Sequence, residues 1–288
     1  MSPETLTFDG SGSLQLAAGS YGPHDGAKVL LIHGGGQTRW SWNDTAIHLA
    51  EAGYHAVTLD QRGHGDSAWS TTGNYHLDDF ANDLRCVIAQ LGGAPILVGA
   101  SLGGLASLLA LGEDPQAPSS GLVLVDIAPR MKRTGANRVV DFMRSTQDGF
   151  ASLEEAGEAV ARYNPNRKRP ASAAGLGKNM RQGADGRYRW HWDPAFVAPR
   201  EGWDPEAFER RLMTAAGRIA APVQIVRGEH SDVVDAEALH ELAQSLPMVD
   251  TVQIEDAGHM IVGDNNADFN AAILPFVTAH AARRQAAQ

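Results

Sequence analysis

The stretch Pro95-Ile96-Leu97-Val98-Gly99-Ala100-Ser101-Leu102-Gly103-Gly104 decides how this chain is read. An apolar run of strand length, 95–98, ends in G-x-S-x-G and passes directly into a helical pattern over 101–111. A serine at so tight a strand-to-helix turn projects its hydroxyl from the edge of a sheet. The glycines remove Cβ atoms that would collide in the bend. The start of the following helix also offers unpaired N–H groups to a developing negative charge. Residues 96–112 are broken by Gly99, Ser101, Gly103, Gly104 and Ser107, so they read as strand, turn and helix rather than as a membrane span.

Outward from this point, short β-rich runs recur at 29–32, 55–59, 121–125, 223–226 and 251–254, with helical patterns between them. That alternation belongs to a parallel α/β sheet, and the runs are apolar almost throughout because both faces of such a sheet are covered by helices. The earlier segments 4–8 and 13–16 alternate more, which suggests an antiparallel edge hairpin. Residues 78–91 place Phe80, Leu84, Val87, Ile88 and Leu91 on one helical face. Further helices are expected at 236–246 and 267–280, the last kinked or broken at Pro275.

With 288 residues, 43% hydrophobic and 20% charged, the chain has an ordinary globular composition, which excludes disorder, collagen and coiled coil. Its formal net charge of -10 argues against nucleic acid or an anionic membrane as the main partner. The single Cys86 can form neither an intrachain disulfide nor a zinc cluster, and a cytoplasmic location fits. Residues 1–12 have no basic start and no apolar stretch, so they do not read as a signal or transit peptide. The charge is unevenly spread: residues 130–218 hold 17 Lys/Arg against 11 Asp/Glu, and the rest hold 7 against 23. This basic segment lacks β-rich runs, carries a helix at 152–163 with a Ser152/Glu155 capping box, and contains an aromatic, basic stretch at 187–192. It reads as a helical insertion between the sixth and seventh strands.

A serine hydroxyl is a weak nucleophile unless a base removes its proton, and that base needs a carboxylate to orient it. Of the 11 histidines, His259 follows the last strand and precedes the last helix, which puts it on the same sheet edge as Ser101. For the acid, the strand 223–226 runs into Arg227-Gly228-Glu229-His230-Ser231-Asp232, and Asp232 is the choice on chain order. Glu229 is an alternative if the turn is short, Asp235 looks like a helix N-cap, and Asp126 after the preceding strand is the main rival. His33-Gly34-Gly35-Gly36 follows the strand 29–32; Gly35 and Leu102 are the expected backbone donors to an oxyanion. These glycines form no dinucleotide fingerprint, because no G-x-G-x-x-G follows that strand.

Taken in order, HGGG, Asp60-Gln61-Arg62-Gly63-His64-Gly65-Asp66-Ser67, VGASLGG, Ser231-Asp232 and Ala257-Gly258-His259 resemble the α/β-hydrolase family over nearly the whole chain. The resemblance implies an α/β fold with a mostly parallel, eight-stranded sheet flanked by helices and a helical lid inserted between strands 6 and 7. The core is then 1–128 and 221–288, and the lid 129–220. It implies a cofactor-independent Ser101/Asp232/His259 triad, no metal, and a structural rather than chemical role for His64 and Asp66. The similarity is greatest to small bacterial esterases, cofactor-free haloperoxidases and carbon-carbon bond hydrolases. Epoxide hydrolases and haloalkane dehalogenases of the same fold use an aspartate where this chain has Ser101, which disfavours both chemistries.

The expected activity is cleavage of a small-molecule ester or lactone through an acyl-enzyme. Carbon-carbon bond hydrolysis and perhydrolysis on the same triad are alternatives, and a noncatalytic ligand-binding protein on the same scaffold is the alternative of another class. Gly36, Trp40, Trp190 and Trp192 are the substrate-contact candidates. Phe142, Phe150, Phe196 and Trp203 are further candidates for apolar pocket walls. Arg130, Lys132, Arg133, Lys178, Arg181, Arg187 and Arg189 could form a cationic rim for a carboxylate-bearing substrate, or could face solvent and pair with nearby acids. The partners expected are that small-molecule substrate and, as an oligomeric alternative, a second copy in a homodimer, with no nucleic acid and no membrane.

Overall fold

Strands whose residues are apolar on both faces need helices on both faces, and that requirement organises the chain. The computed structural model describes residues 2–164, 173–199 and 202–285. The elements run β1 (Glu4–Asp9), β2 (Gln15–Tyr21), β3 (Lys28–Ile32), α1 (Asn43–Glu51), β4 (His55–Leu59), α2 (Leu77–Leu91), β5 (Ile96–Ala100), α3 (Leu102–Gly112) and β6 (Gly121–Val125). After an insertion, β9 (Val223–Gly228), α7 (Ala236–Ser245), β10 (Val249–Ile254), α8 (Ile261–Asp264) and α9 (Asn266–Gln285) complete the core. The insertion itself holds α4 (Arg133–Ser145), α5 (Leu153–Tyr163), the strands β7 (Met180–Gln182) and β8 (Tyr188–Trp190), and α6 (Pro205–Ala216).

The main sheet has eight strands in the order β1-β2-β4-β3-β5-β6-β9-β10, parallel from β4 to β10 and antiparallel at β1 and β2. Side chains of a strand alternate between faces. Leu97 therefore joins one apolar layer with Leu84, Leu108 and Leu242, from α2, α3 and α7. Its neighbour Val98 joins the other, with Leu49 of α1 and Phe269 of α9. At roughly 25 cal/mol per Å² of apolar surface, these two layers hold the fold together without a covalent staple.

Two expectations are corrected here. The insertion is not wholly helical: β7 and β8 pair antiparallel, with Met180 opposite Trp190 and a tight return at Asp185-Gly186. Strands of three residues are too short for alternation to register in a sequence. The last helix also runs through Pro275, so of the two outcomes expected there, a kink or a break, the break does not occur. Pro275 removes the donor to the Ala271 carbonyl, but both residues are exposed, so water can take that carbonyl. Among the described residues, no helix is long and apolar enough to cross a membrane.

Candidate active site

Because β3, β5, β6, β9 and β10 are parallel, the loops that follow them gather on one edge of the sheet. Ser101 lies between β5 and α3 at φ 46° and ψ -113°, a conformation most side chains avoid and the neighbours must enforce. Its N–H donates to the Val125 carbonyl at 3.2 Å. The bend closes because Gly99 and Gly103 touch backbone to backbone: a Cβ on Gly99 would sit 2.6 Å from the Gly103 carbonyl. A Cβ on Gly103 would meet the Ile32 carbonyl at 2.5 Å, so the missing side chain also brings the start of α3 against the end of β3.

That contact sets the 33–36 loop beside the serine. A Cβ on Gly34 would be 3.4 Å from Ser101 Cβ, and one on Gly35 would be 3.3 Å from the Phe196 ring and 4.0 Å from the Leu102 side chain. Within the loop, the Gly34 N–H donates to Gln37 Oε1 at 3.0 Å, the Gln37 N–H to the Gly34 carbonyl at 3.2 Å, and the Gly36 N–H to His64 Nε2 at 3.0 Å. Gly35 is left, among the described residues, as the loop amide without an acceptor. The Leu102 N–H, at the first position of α3, has no partner within the helix. Backbone N–H groups left without an acceptor beside a serine can serve as donors to an oxyanion.

The acid beside the histidine is Asp126, at the end of β6, and not Asp232. Asp126 is fully buried at φ 48°, and its Oδ2 lies 2.7 Å from His259 Nδ1. The carboxylate also accepts the Gly228 N–H at 3.0 Å and the Ser231 hydroxyl at 2.5 Å. Ser231 Oγ in turn accepts the Val233 and Val234 amides, so its proton is free for Asp126. A carboxylate at Nδ1 holds the imidazole proton there and leaves Nε2 as an acceptor. Asp232 is turned to the insertion instead, where its Oδ2 pairs with Arg138 at 2.6 Å, and its side chain is 37% exposed. The other two alternatives also fall elsewhere: Asp235 caps α7 through the Ala238 N–H, and Glu229 accepts the Asp256 N–H.

The tryptophans expected at the substrate divide. Trp192 is buried in the insertion with Met143 and Val197, while Trp190 packs on Phe142 and Phe150 and donates its indole N–H to Thr146 Oγ1 at 3.0 Å. Trp40 has the Arg39 guanidinium 4.8 Å and the Lys178 ammonium 5.7 Å from its ring and lines a cavity of about 560 Å³ beside β2, whose lining includes neither Ser101 nor His259. Gly36 keeps its place beside the site, where a Cβ would be 3.0 Å from Met143. Phe196, one of the expected apolar walls, and Met143, which pattern alone did not single out, flank the glycine loop.

Most of the basic rim is committed. Arg130 pairs with Glu237 and Glu241, Arg181 bonds the Gly65 carbonyl, Arg187 bonds the Asp148 and Gly149 carbonyls, and Arg189 pairs with Asp185. Lys132, Arg133 and Lys178 have no carboxylate within ion-pair distance among the described residues. Glu229, His230 and Asp256 bring three ligating atoms within 4.8 Å of one another, but all three side chains are exposed, a common grouping on an acidic surface.

Residues 28–266 match the model of the α/β hydrolase fold. The chain belongs to that family. It is 28% identical to a 3-hydroxybutyrate-oligomer hydrolase of Cupriavidus necator over 86% of this chain and 88% of that one. It is 29% identical to an esterase of Mycobacterium tuberculosis over 82% and 78% of the two chains. A 2-(acetamidomethylene)succinate hydrolase of Mesorhizobium japonicum is also 29% identical, over 82% of each. In fold, the chain is similar to the crystal structure of E-2-(acetamidomethylene)succinate hydrolase, with a TM-score of 0.83 over 96% of this chain and 99% of that one, at 24% identity. This α/β hydrolase is an enzyme.

Proposed function

We propose that this hydrolase cleaves a small-molecule carboxylic ester or lactone through an acyl-enzyme on Ser101, with His259 as base, Asp126 as its orienting acid, and the Gly35 and Leu102 amides as oxyanion donors. One observation carries the proposal: a fully buried carboxylate bonded to Nδ1 of His259, on the sheet edge where Ser101 stands at a strained strand-to-helix turn. A buried carboxylate is costly unless every bond it makes is satisfied, and Asp126 has three donors. Relatives named as esterases and hydrolases support the same class of reaction.

The steps follow from the proton inventory. Nε2 of His259 takes the Ser101 proton as Oγ attacks the acyl carbon, and the carbonyl oxygen, now negative, rests on the two amides. The tetrahedral species collapses, the C–O bond to the alcohol breaks, and the imidazolium returns its proton to that alcohol. Water, deprotonated by the same nitrogen, attacks the acyl-enzyme; the acid leaves and Ser101 regains its proton. Asp126 stabilises the imidazolium in both halves without itself taking the proton.

Residues 129–220 serve in this reading as the lid. Met143 and Phe196 reach the glycine loop from it, which gives the acyl group an apolar roof. Of the expected basic rim, Lys132 and Arg133 are the cations left, among the described residues, to meet an anionic substrate, since Lys178 lies over Trp40 at the cavity beside β2. The test is turnover of matched short-chain aryl esters and lactones, neutral and carboxylate-bearing, with Ser101→Ala as the blank. Turnover lost in the variant supports the proposal, and equal turnover in both proteins removes it.

A further inference from the structure

The glycine loop is held by histidines the reaction does not use. His33, His64 and His191 are all buried, and each accepts a backbone N–H through one ring nitrogen. The Gly36 N–H reaches His64 Nε2 at 3.0 Å, the Gln61 N–H reaches His33 Nε2 at 3.0 Å, and the Gly65 N–H reaches His191 Nδ1 at 2.5 Å. On their other nitrogens, His64 donates to the Arg62 carbonyl at 2.9 Å and His33 to the Gly34 carbonyl at 2.7 Å. Three segments distant in sequence are thereby linked: the loop after β3, the loop after β4 and the insertion.

We propose that His64 is a positioning residue for the oxyanion site: its neutral imidazole accepts the Gly36 N–H and fixes the Gly35–Gly36 peptide, which adjoins the Gly34–Gly35 peptide carrying the Gly35 N–H and so limits how far that amide can turn from the serine. The inference rests on the role given to Gly35 above. The geometry asks for a side chain that both accepts and donates. A rigid ring bridges the two loops by accepting from an N–H on one edge and donating to a carbonyl on the other, which only a neutral imidazole does. The Gly34–Gly35 peptide is held at its carbonyl by His33 Nδ1 at 2.7 Å and the Gln37 N–H at 3.2 Å, but Gly36 stands at φ +75°, so without the His64 anchor the next peptide has the freedom to turn and to draw the Gly35 N–H with it. The ring is in turn clamped by the edge of Phe196 at 4.8 Å.

The imidazole must stay neutral to accept. Burial and the neighbouring His33 push His64 down to about 3, against the Arg62 carbonyl, Asp60 and Asp193, which act the other way. The other groups facing it are the His33 ring at 5.2 Å and the His191 ring at 6.3 Å, with Arg181 lowering His191 further. A proton on Nε2 would set donor against donor at Gly36.

The experiment compares the whole protein with its His64→Phe and His64→Gln variants. Phe fills the space without an acceptor; Gln restores an acceptor near the Nε2 position. In His64→Phe we expect the Gly36 amide to lose its protection from hydrogen exchange and kcat on an aryl ester to fall roughly 10- to 100-fold, with KM within about twofold. His64→Gln should recover the protection and most of kcat. Nitrogen NMR of the wild-type imidazole should show Nδ1 protonated and Nε2 bare, a result that stands whether or not the variants fold. An Nε2–H tautomer, or equal losses in kcat for both variants with Gly36 still protected, overturns the proposal. The two failures separate cleanly: a wild type that never turns over at Ser101 sinks the esterase reading, while normal wild-type turnover with Gly36 exchange unchanged in His64→Phe sinks this one.

Discussion

Replacing Asp126 by Asn tests the assignment of the acid with the least change of shape. The amide can still accept the Gly228 N–H, now 3.0 Å from Oδ1, through its oxygen. Its NH₂ then stands where Oδ2 accepts from His259 Nδ1 at 2.7 Å and from the Ser231 hydroxyl at 2.5 Å. A donor facing Nδ1 forces the imidazole proton to Nε2, where it blocks removal of the Ser101 proton. A tautomer reversed in this way costs about 10⁴ in kcat, or roughly 5 to 6 kcal/mol of transition-state stabilisation. Asp232→Asn breaks only the Arg138 pair, whose side chains are 53% and 37% exposed, so it should cost less than about 1 kcal/mol of stability and change kcat by less than about threefold. The assay is steady-state hydrolysis of an aryl ester by both variants, with Ser101→Ala as background and a thermal scan to confirm folding. A folded Asp126→Asn protein that keeps a tenth of wild-type kcat, or an Asp232→Asn protein that loses a thousandfold, would refute the assignment.

Gly103→Ala sits in a helix, where Ala would ordinarily add about 1 kcal/mol, yet the Cβ would lie 2.5 Å from the Ile32 carbonyl and 2.8 Å from that of His33; a net loss of about 3 kcal/mol and a Tm lower by about 6 °C are expected in calorimetry, and an unchanged Tm contradicts the packing. Acid should destabilise the fold through the buried histidines, which burial lowers to about 4 at His33, about 3 at His64 and about 2 at His191. Below pH 6.5 the unfolded chain takes up protons that the native state refuses, so stability falls with pH, by roughly 3 kcal/mol between pH 6.5 and 5.5 for the three together; urea midpoints that stay flat over that interval would contradict this. Neutralising Lys132 and Arg133 together should raise KM for a carboxylate-bearing ester about tenfold more than for its neutral match, and equal changes would remove these residues from recognition.

What could be read from the sequence was what short-range physics dictates. The elbow was legible because a serine between glycines at a strand-to-helix junction has one mechanical meaning, and His259 because a parallel sheet puts every such loop on one edge. The acid was not, since chain order favours the loop after β9, and that loop is rich in acids: Glu229, Asp232 and Asp235 all follow the strand. The signal available was burial. Asp126 stands in Leu122-Val123-Leu124-Val125-Asp126-Ile127-Ala128, a lone charge in an apolar run, and a charge placed there needs partners or a task. Asp232, in a polar turn, is under no such constraint. The β7–β8 hairpin was invisible because its strands are too short for a pattern. The tie between Gly36 and His64 was invisible because it joins loops 28 residues apart through a side chain whose direction no periodicity fixes.

A fluorophosphonate probe asks whether Ser101 is the nucleophile, since it leaves a stable tetrahedral adduct on an activated serine. Intact-mass and peptide mass spectrometry should find one adduct per chain, on the peptide containing Ser101, formed by wild-type protein and abolished in both Ser101→Ala and His259→Ala. An adduct on another residue, or labelling of Ser101 that His259→Ala leaves untouched, would contradict the account.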